Sequence, residues 1–351
     1  MRFVRSSGLH LLAALLLSLV GAGAAALNPD RGVHQFSHSK WTAAEGAPAE
    51  AWDMAQTVDG WLWFGTPSGL YRFDGVRFER LETLPSDLDR SSAISSLLAL
   101  DTGELWIGYQ AGGVSVLRNG QFTFFGPAEG VPRGTVRVLE QDAEGTLWAA
   151  VSTGLLRLGK TRWHSVGEEW GLPPKHRAQN VHVDGRGAVW VNTDQGLFRL
   201  ESGTRQFKLQ KGLRQRDLFF FDSPDGRSWH HDATDARSLG LLEGQPFKNR
   251  RARNANASNA IIPFFDRDGG LWYSRHDTVY RSVKPDLDAG PVFPDGPRAQ
   301  TFAKRDGLSG WPIYTMMEDR QGHVWISTGA GVDRFGDTRM VPLPLGVKIE
   351  G

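Results

Sequence analysis

At seven regularly spaced places along the chain, a glycine is followed three residues later by a tryptophan. The tryptophans of the seven copies are Trp63, Trp106, Trp148, Trp190, Trp229, Trp272 and Trp325. The intervals between them are 43, 42, 42, 39, 43 and 53 residues. A period of this length is typical of folds built from stacked or radially arranged units, so the repeat constrains the fold more than any other feature.

The residues around each tryptophan indicate four short strands per copy. Aspartate stands three residues before the glycine in four copies, which predicts a tight turn. A second glycine follows the tryptophan by six residues in five copies and starts an alternating apolar run such as GLYRF or GLLRL. Further alternating runs lie upstream and downstream. Four strands per unit at this period predict an all-β fold, a seven-bladed β-propeller with four antiparallel strands per blade.

The repeated residues are predicted to be structural. A tryptophan on the second strand can fill the wedge between neighbouring blades, so we expect all seven repeat tryptophans to be core residues. The arginine of the GLYRF run, Arg72, recurs as Arg157, Arg199, Arg281 and Arg334, which also suits a scaffold role. Copies five and six are degenerate: Asp235 and Thr278 stand where the second glycine is expected. Function is therefore sought where the copies differ.

A propeller must join its last blade to its first or leave two exposed sheet edges. The segment 33–48 resembles the fourth strand and connection of other copies. We therefore predict that residues 33–41 form the outer strand of blade 7, beside strands from 313–336. The C-terminal run RMVPLPLGV competes for this place, but Pro342 and Pro344 lack N–H donors and suit a departing segment better.

The first 26 residues have the pattern of a secretory signal peptide. Arg2 and Arg5 precede an apolar run from Leu9 to Val20, and small residues follow. An N-terminal membrane anchor is the alternative, but the run is short for a spanning helix. The predicted domains are thus a signal peptide (1–26), a propeller (27–345) and a C-terminal tail (346–351), and we expect the mature protein to be exported.

Composition excludes several classes of function. The chain has no cysteine, so disulfides cannot stabilise it. It has 40 Lys and Arg against 39 Asp and Glu, which gives no overall field to attract nucleic acid or an anionic membrane. The basic segment 248–260 has no aromatic residues for base stacking and is interpreted as a solvated loop. We expect no nucleic-acid partner and no cofactor.

The blade text, with DxxGxLWxGT, then GLxRFDG and a Gly-Leu-Pro connection, resembles the two-component regulator propeller family over about residues 33–345. The resemblance implies the periplasmic sensor region of a bacterial sensor histidine kinase or diguanylate cyclase that recognises an extracellular small molecule or oligosaccharide. Such a region normally continues into a small β-domain, a membrane helix and an output domain, whereas this chain stops at LGVKIEG. Either it is a truncated sensor region or it signals through a partner kinase or cyclase; a dimer is left open.

Ligand residues are expected in the connections before the first strands and in the turns between second and third strands, because both open on one face of a propeller. Tryptophans outside the repeated position can stack on sugar rings, and cations beside them can hold polar groups, although each can instead cover a blade core. The predicted ligand-binding residues are Trp52, Arg133, Trp170, His176, Arg177, Arg275, His276 and Trp311.

The sequence gives weaker support for a metal site or a catalytic site than for a ligand-binding site. His230, His231 and Asp232 are adjacent, but neighbouring residues on a strand point to opposite faces and cannot readily share one ion. The patterns G-x-S-x-G, H-E-x-x-H and Walker A are not present. No catalytic or metal-binding residue is assigned. The alternatives to a sensor are a propeller lyase or glycan hydrolase using His230, His276 and Asp277, or a non-catalytic interaction scaffold.

Overall fold

The computed structural model describes residues 27–28, 31–82, 92–210, 218–232, 239–242, 261–283, 285 and 299–337. The predicted signal peptide, the C-terminal tail, Asp235, the basic segment 248–260 and the run RMVPLPLGV lie outside these residues. Among the described residues, no helix has the length and apolar character needed to cross a membrane.

The described strands form seven separate antiparallel sheets, the blades. Blade 1 contains β2 (Asp53–Gln56), β3 (Leu62–Thr66), β4 (Gly69–Phe73) and β5 (Phe78–Leu81). Blade 2 contains β6 (Ile94–Ala99), β7 (Leu105–Tyr109), β8 (Val114–Arg118) and β9 (Gln121–Phe125). Blade 3 contains β10 (Val136–Gln141), β11 (Leu147–Val151), β12 (Gly154–Leu158) and β13 (Trp163–Val166). Blade 4 contains β14 (Ala178–Val183), β15 (Val189–Thr193), β16 (Gly196–Leu200) and β17 (Lys208–Leu209).

The remaining three blades are less uniform. Blade 5 has three strands among the described residues: β18 (Leu218–Asp222), β19 (Ser228–Asp232) and β20 (Gly240–Leu241). Blade 6 contains β21 (Pro263–Phe265), β22 (Leu271–Arg275), β23 (Thr278–Ser282) and β24 (Gln300–Ala303). Blade 7 contains β25 (Ile313–Glu318), β26 (Val324–Thr328), β27 (Gly331–Gly336) and the N-terminal strand β1 (Ser37–Thr42). Short 3-10 turns occur at Val33–Gln35, Ala43–Glu45, Pro127–Glu129, Glu168–Trp170 and Lys304–Asp306.

The first strands of the blades contact one another in a closed circle, from β2 through β6, β10, β14, β18 and β21 to β25, which contacts β2 again. The first strand is therefore the innermost strand of each blade and lines a central channel. This arrangement confirms the predicted seven-bladed β-propeller.

The N-terminal strand closes the ring, as predicted. β1 pairs antiparallel with β27, and Trp41 lies opposite Val332. The Trp41 ring also stacks on Trp325 of the same blade, with ring centroids 5.5 Å apart. The strand begins at Ser37 rather than at residue 33, because residues 33–35 form a 3-10 turn that the side chain of Gln300 fixes by accepting a 2.7 Å hydrogen bond from the Val33 N–H.

The seven repeat tryptophans are all buried, with no more than 2% of any residue exposed. Each lies early in the second strand of its blade and packs against its own blade and a neighbour; Trp106 of blade 2, for example, meets Trp163 of blade 3 edge to face at 6.1 Å. Burial on this scale supplies much of the apolar stabilisation that a chain without disulfides needs.

The repeated turn aspartate bonds directly to the repeated tryptophan. In blade 4, Asp184 accepts the indole N–H of Trp190 at 2.8 Å through one oxygen and the backbone N–H groups of Arg186 and Ala188 through the other. The same bond, also at 2.8 Å, occurs in blades 3, 6 and 7, where the acceptors are Asp142, Asp266 and Asp319. One carboxylate thus fixes a turn and a buried indole together.

The blades without this aspartate satisfy the indole N–H by other means. A hydroxyl at the same position accepts it in blades 1 and 5, from Thr57 at 2.9 Å and Ser223 at 2.8 Å. In blade 2 this position is Leu100, and Glu104 accepts the Trp106 N–H instead at 2.9 Å. All seven buried indole donors are therefore satisfied, as burial of a polar group requires.

Replacement of Asp184 by alanine should strongly destabilise the protein. The buried N–H of Trp190 would lose its acceptor, and an unsatisfied buried donor costs about 1–3 kcal/mol by itself. The free energy of unfolding, measured by denaturant titration, should fall by at least this amount. The control is Asp74→Ala, which removes an exposed turn carboxylate bonded only to the N–H groups of Val76 and Arg77. Equal losses in the two variants would contradict the role given to the indole bond.

Candidate functional site

The connections into the blades and the turns between second and third strands meet at one end of the propeller. The Ser152 N–H in such a turn donates to Thr135 O in the connection into the same blade, at 2.9 Å. An equivalent bond joins Gly329 N–H to Pro312 O at 2.8 Å. We call this end the mouth face. It is formed by connections 43–52, 126–135, 167–177 and 304–312 and by turns 152–153, 194–195, 276–277 and 329–330.

Aromatic and acidic side chains gather on the mouth face where blades 7 and 1 meet. Trp311, in the connection into blade 7, is 46% exposed, a large value for a tryptophan. Tyr314 follows on the innermost strand, and its pKa is raised by burial and by the nearby carboxylate of Glu50. Trp52 is half-buried beside Glu50 in the connection into blade 1. An exposed indole beside a tyrosine and a carboxylate can stack on a sugar ring and bind its hydroxyl groups.

Cations lie at other positions of the mouth face. Arg133 and Arg177 are exposed in the connections into blades 3 and 4. The backbone N–H of Arg177 donates to the Asp194 carboxylate at 2.8 Å, which fixes the position of Arg177 in its connection. Arg275 and His276 are exposed at the turn between β22 and β23 of blade 6. His276 has a φ of 55°, a left-handed conformation that is uncommon for residues other than glycine. The predicted residues therefore lie on several blades around one mouth.

The structure gives His176 a structural role instead of the predicted contact with a ligand. The residue is only 5% exposed. Its Nδ1 lies 2.8 Å from Pro173 O, and its Nε2 accepts the N–H of Leu155 at 3.2 Å. The two ring nitrogens thus join the connection into blade 4 to strand β12 of blade 3.

Trp170 also differs from its predicted position. Its indole does not face the channel but lies in a crevice between blades 3 and 4, edge-on to Trp148 with ring centroids 6.0 Å apart. Residues of the turns at the opposite end of the blades, such as Asp142 and Gly187, line the same crevice. The 3-10 turn that carries Trp170 is bonded to blade 4 through Trp170 O and the Phe207 N–H, which draws the ring between the blades.

The histidines of blade 5 are buried. His230 and His231 are both fully buried on β19, and burial lowers the pKa of each to about 3, with a small further effect of His230 on His231. Both are therefore neutral at physiological pH. Within the described parts of the chain, no group of three or more His, Cys, Asp or Glu residues is placed to hold a metal ion.

A cluster of ionisable residues that sequence reasoning missed lies on the innermost strands of blades 3, 4 and 5. His182 Nε2 lies 3.1 Å from Asp222, and its Nδ1 lies 3.9 Å from Glu140. Burial disfavours the charged ring, but the hydrogen bond to Asp222 and the nearby carboxylate of Glu140 outweigh this effect and raise the pKa of His182 to about 9. We call these three residues the channel cluster. Each falls near the end of a first strand, but only the arrangement of the blades brings the three together.

Asp53 provides a second interaction between innermost strands. Its Oδ2 accepts the N–H of Leu97 in blade 2 at 2.8 Å, so it joins the first strands of two blades. Burial raises the pKa of Asp53 to about 7, although its backbone hydrogen bonds act in the opposite direction. The channel wall is therefore polar and hydrogen-bonded between blades, whereas the aromatic groups lie at the mouth.

Comparison with protein families identifies the repeat. Residues 307–330 match the family model described as two component regulator propeller. This copy of the repeat is therefore similar to a two component regulator propeller repeat. The matched segment covers the connection into blade 7, β25 and β26, with the turn aspartate and the buried tryptophan, so the resemblance predicted from the sequence is confirmed. A search of the curated proteins found no match.

Several solved structures share the propeller fold at low sequence identity. The extracellular domain of a hybrid two component system from B. thetaiotaomicron has a TM-score of 0.65 and 16% identity, and the match covers 86% of this chain and 42% of that domain. This chain therefore spans less than half of that domain. A streptogramin B lyase has a TM-score of 0.65 and 12% identity, with coverage of 88% and 100%. A catalytically inactive variant of virginiamycin B lyase from Staphylococcus aureus, in a structure with quinupristin, has a TM-score of 0.62 and 10% identity, with coverage of 86% and 99%.

The channel cluster should make stability depend on pH in the alkaline range. A pKa raised from 6.5 in the unfolded chain to about 9 in the folded protein stabilises fully below pH 6.5, and this contribution is lost as pH rises through 9. The difference in unfolding free energy between the wild type and His182→Gln should therefore be larger at pH 6 than at pH 9.5. Denaturant titrations at both values test this, and the subtraction cancels groups common to both proteins. A difference that does not change with pH would contradict a charged His182.

Proposed function

We propose that this propeller is the ligand-sensing part of an extracytoplasmic two-component-type receptor. It binds an extracellular small molecule or oligosaccharide at the mouth face and passes the signal to a kinase or cyclase output, in cis or through a partner chain. The observation that carries the proposal is the group of Trp311, Tyr314, Glu50 and Trp52 around the channel mouth of a propeller with a two component regulator repeat.

The mouth chemistry suits a hydroxyl-rich ligand. Exposed Trp311 offers an apolar face on which a sugar ring can stack. Glu50 can accept hydrogen bonds from hydroxyl groups, and Tyr314 can donate or accept them. Arg133, Arg177 and Arg275 extend the polar surface to other blades, which suits a ligand longer than one ring. The structural resemblance to an extracellular domain of a regulator supports the same assignment and a periplasmic location.

Trp311→Ala should weaken ligand binding at the mouth by about tenfold or more, because a buried or stacked aromatic anchor contributes about 1–3 kcal/mol. Isothermal titration of a panel of neutral and charged oligosaccharides first identifies a ligand for the wild type, and the variant is then measured against it. The matched control is Trp61→Ala, since Trp61 is half-buried at the other end of blade 1 beneath the Arg72 guanidinium. The absence of any binder, or equal affinity in Trp311→Ala and the wild type, would contradict the proposal.

A lyase or hydrolase is the second candidate, and the likeness to two lyase structures favours it. His230 does not suit this role, since it is fully buried. His276 does, because it is exposed, lies beside Asp277 and adopts a strained left-handed backbone. If the protein is an enzyme, turnover of a cyclic ester or polysaccharide should be lost in His276→Ala and kept in His164→Ala, an exposed histidine on the outer strand of blade 3. The sensor proposal expects no turnover in either protein.

A further inference from the structure

A buried carboxylate joins the connection that carries Trp311 to the strand that closes the ring. It belongs to Asp333 on β27, which is fully buried. In the connection into blade 7, the Ser309 N–H donates to both of its oxygens, at 3.0 and 3.2 Å, and the Ser309 hydroxyl donates to it as well. His38 Nε2, on β1, lies 2.8 Å from its Oδ1. Three donors from two separate segments of the chain therefore satisfy this carboxylate.

Ser309 departs from the pattern of the other connections. Four connections share a 3-10 turn that is capped by an acidic side chain and ends at a left-handed glycine; the capping residues are Glu45, Glu129, Glu169 and Asp306. Glu169 lies one position earlier in its turn than the other three, and Trp170 takes the last position. Two residues after the glycine, three of the connections have Pro48, Pro132 and Pro173, whereas the connection into blade 7 has Ser309. Proline has neither an N–H nor a hydroxyl, so of these four positions only Ser309 can donate to a carboxylate.

Asp333 is itself a departure from the repeat. It lies on the third strand of blade 7, opposite Ile326 of the second strand. The residues at the corresponding position of the other six blades carry no charge: Tyr71, Ser115, Leu156, Phe198, Gly240 and Tyr280. A carboxylate at a buried position costs free energy unless donors satisfy it. The presence of Asp333 in blade 7 therefore depends on the donors that Ser309 and His38 supply.

His38 is the third departure, on the outer strand of the same blade. It lies opposite Phe335, and the corresponding residues of blades 1, 2 and 3 are Phe78, Phe122 and Trp163. The imidazole keeps the aromatic packing of this position, since it stacks on Phe335 at 4.9 Å and meets Phe302 edge-on at 4.8 Å. A carboxylate only accepts hydrogen bonds, so the ring donates from Nε2. The change from an apolar ring to histidine thus adds a donor for Asp333 and retains the ring contacts.

The hydrogen bonds of Asp333 continue to both sides of the seam between blades 7 and 1. The Ser309 hydroxyl lies 2.7 Å from the Thr328 hydroxyl, and Thr328 O accepts the Glu50 N–H at 3.0 Å. Trp311 follows Ser309 by two residues. Asp333 is therefore linked to the connection that carries Trp311 directly, and to the connection that carries Glu50 through Ser309 and Thr328.

We propose that Asp333 is a positioning residue for the mouth site and that β1 regulates this site through His38. While β1 is paired with β27, Asp333 holds Ser309, and Trp311 and Glu50 keep their places at the seam. When β1 leaves β27, His38 leaves with it, and water then competes with Ser309 for the uncovered carboxylate. The inference rests on the proposed function for the contact of Trp311 and Glu50 with a ligand, whereas the link from β1 to the mouth is tested without one.

The test follows Trp311 by fluorine NMR in protein labelled with 5-fluorotryptophan, with the resonance assigned by its loss in Trp311→Phe. Asp333→Leu introduces the residue of blade 3 and removes the acceptor of Ser309. The Trp311 resonance should shift or broaden, and amide hydrogen exchange in segment 308–312 should become about tenfold faster, because hydrogen bonds that hold this segment are lost. A wild-type resonance and wild-type exchange in folded Asp333→Leu would overturn the proposal.

The role of β1 is tested by His38→Phe, which introduces the residue of blade 1, keeps an aromatic ring and removes the donor. The Trp311 resonance should move in the same direction as in Asp333→Leu, and adding His38→Phe to Asp333→Leu should move it no further. If Asp333→Leu does not fold, Ser309→Pro replaces it in this comparison, since three other connections have proline there. An unchanged resonance in His38→Phe, or an equal effect of His38→Phe with and without the link through Asp333, would overturn the regulation by β1.

The control for lost stability is Asp319→Ala, in the same blade but at the end away from the mouth face. It removes the acceptor of the Trp325 indole and should destabilise blade 7 while the Trp311 resonance stays as in the wild type. An equal change of the Trp311 resonance in Asp319→Ala and Asp333→Leu would reduce Asp333 to a stabilising residue and overturn the proposal. A sugar that binds the wild type, together with an unmoved Trp311 in Asp333→Leu, would overturn the positioning role and leave the sensor function intact. A moved Trp311 in a protein that binds no sugar would support the link from β1 to the mouth and count against the sensor function.

Discussion

The bond from a buried indole N–H to a turn side chain is the interaction on which the scaffold depends. A tryptophan can fill the wedge between two blades only if its polar N–H finds an acceptor inside the protein. The turn aspartate provides that acceptor and also binds the backbone N–H groups of the turn, as Asp184 does for Arg186 and Ala188. The hydrophobic core and the turn geometry of a blade are therefore set by one carboxylate. The replacements by Thr57, Ser223 and Glu104 show that the acceptor, rather than the charge, is the requirement.

The fold was predictable from the sequence because each blade repeats its own local rules. The spacing of Gly60 and Trp63 and its six later copies reports a turn and a buried strand without any knowledge of distant contacts. Ring closure by β1 was predictable for the same reason, since residues 33–48 resemble other fourth strands. The channel cluster was not predictable: Glu140, His182 and Asp222 are about 40 residues apart, and ordinary strand patterns surround them. Their contact depends on how three neighbouring blades are placed, which periodicity does not describe.

The two predicted ligand residues that the structure places differently, His176 and Trp170, show what residue type alone leaves undetermined. Both lie in the connection into blade 4, and both are residues that often bind ligands. Both ring nitrogens of His176 contact backbone groups, those of Pro173 and Leu155, and these contacts hold the connection against blade 3. Trp170 is drawn between blades because the capping role of its position has passed to Glu169. In each case the local hydrogen-bond requirement of the backbone decides where the side chain goes.

Under the proposed sensor function, the position of the mouth aromatics relative to ring closure bears on how a ligand would produce a signal. The Glu50 N–H donates to Thr328 O at 3.0 Å, so the connection into blade 1 is bonded to blade 7 at the seam that β1 closes. Trp311 and Tyr314 belong to the blade 7 side of this seam, and Trp52 belongs to the blade 1 side. A ligand that contacts both sides adds interactions across the seam, and its binding energy then stabilises the closed ring over any opened form.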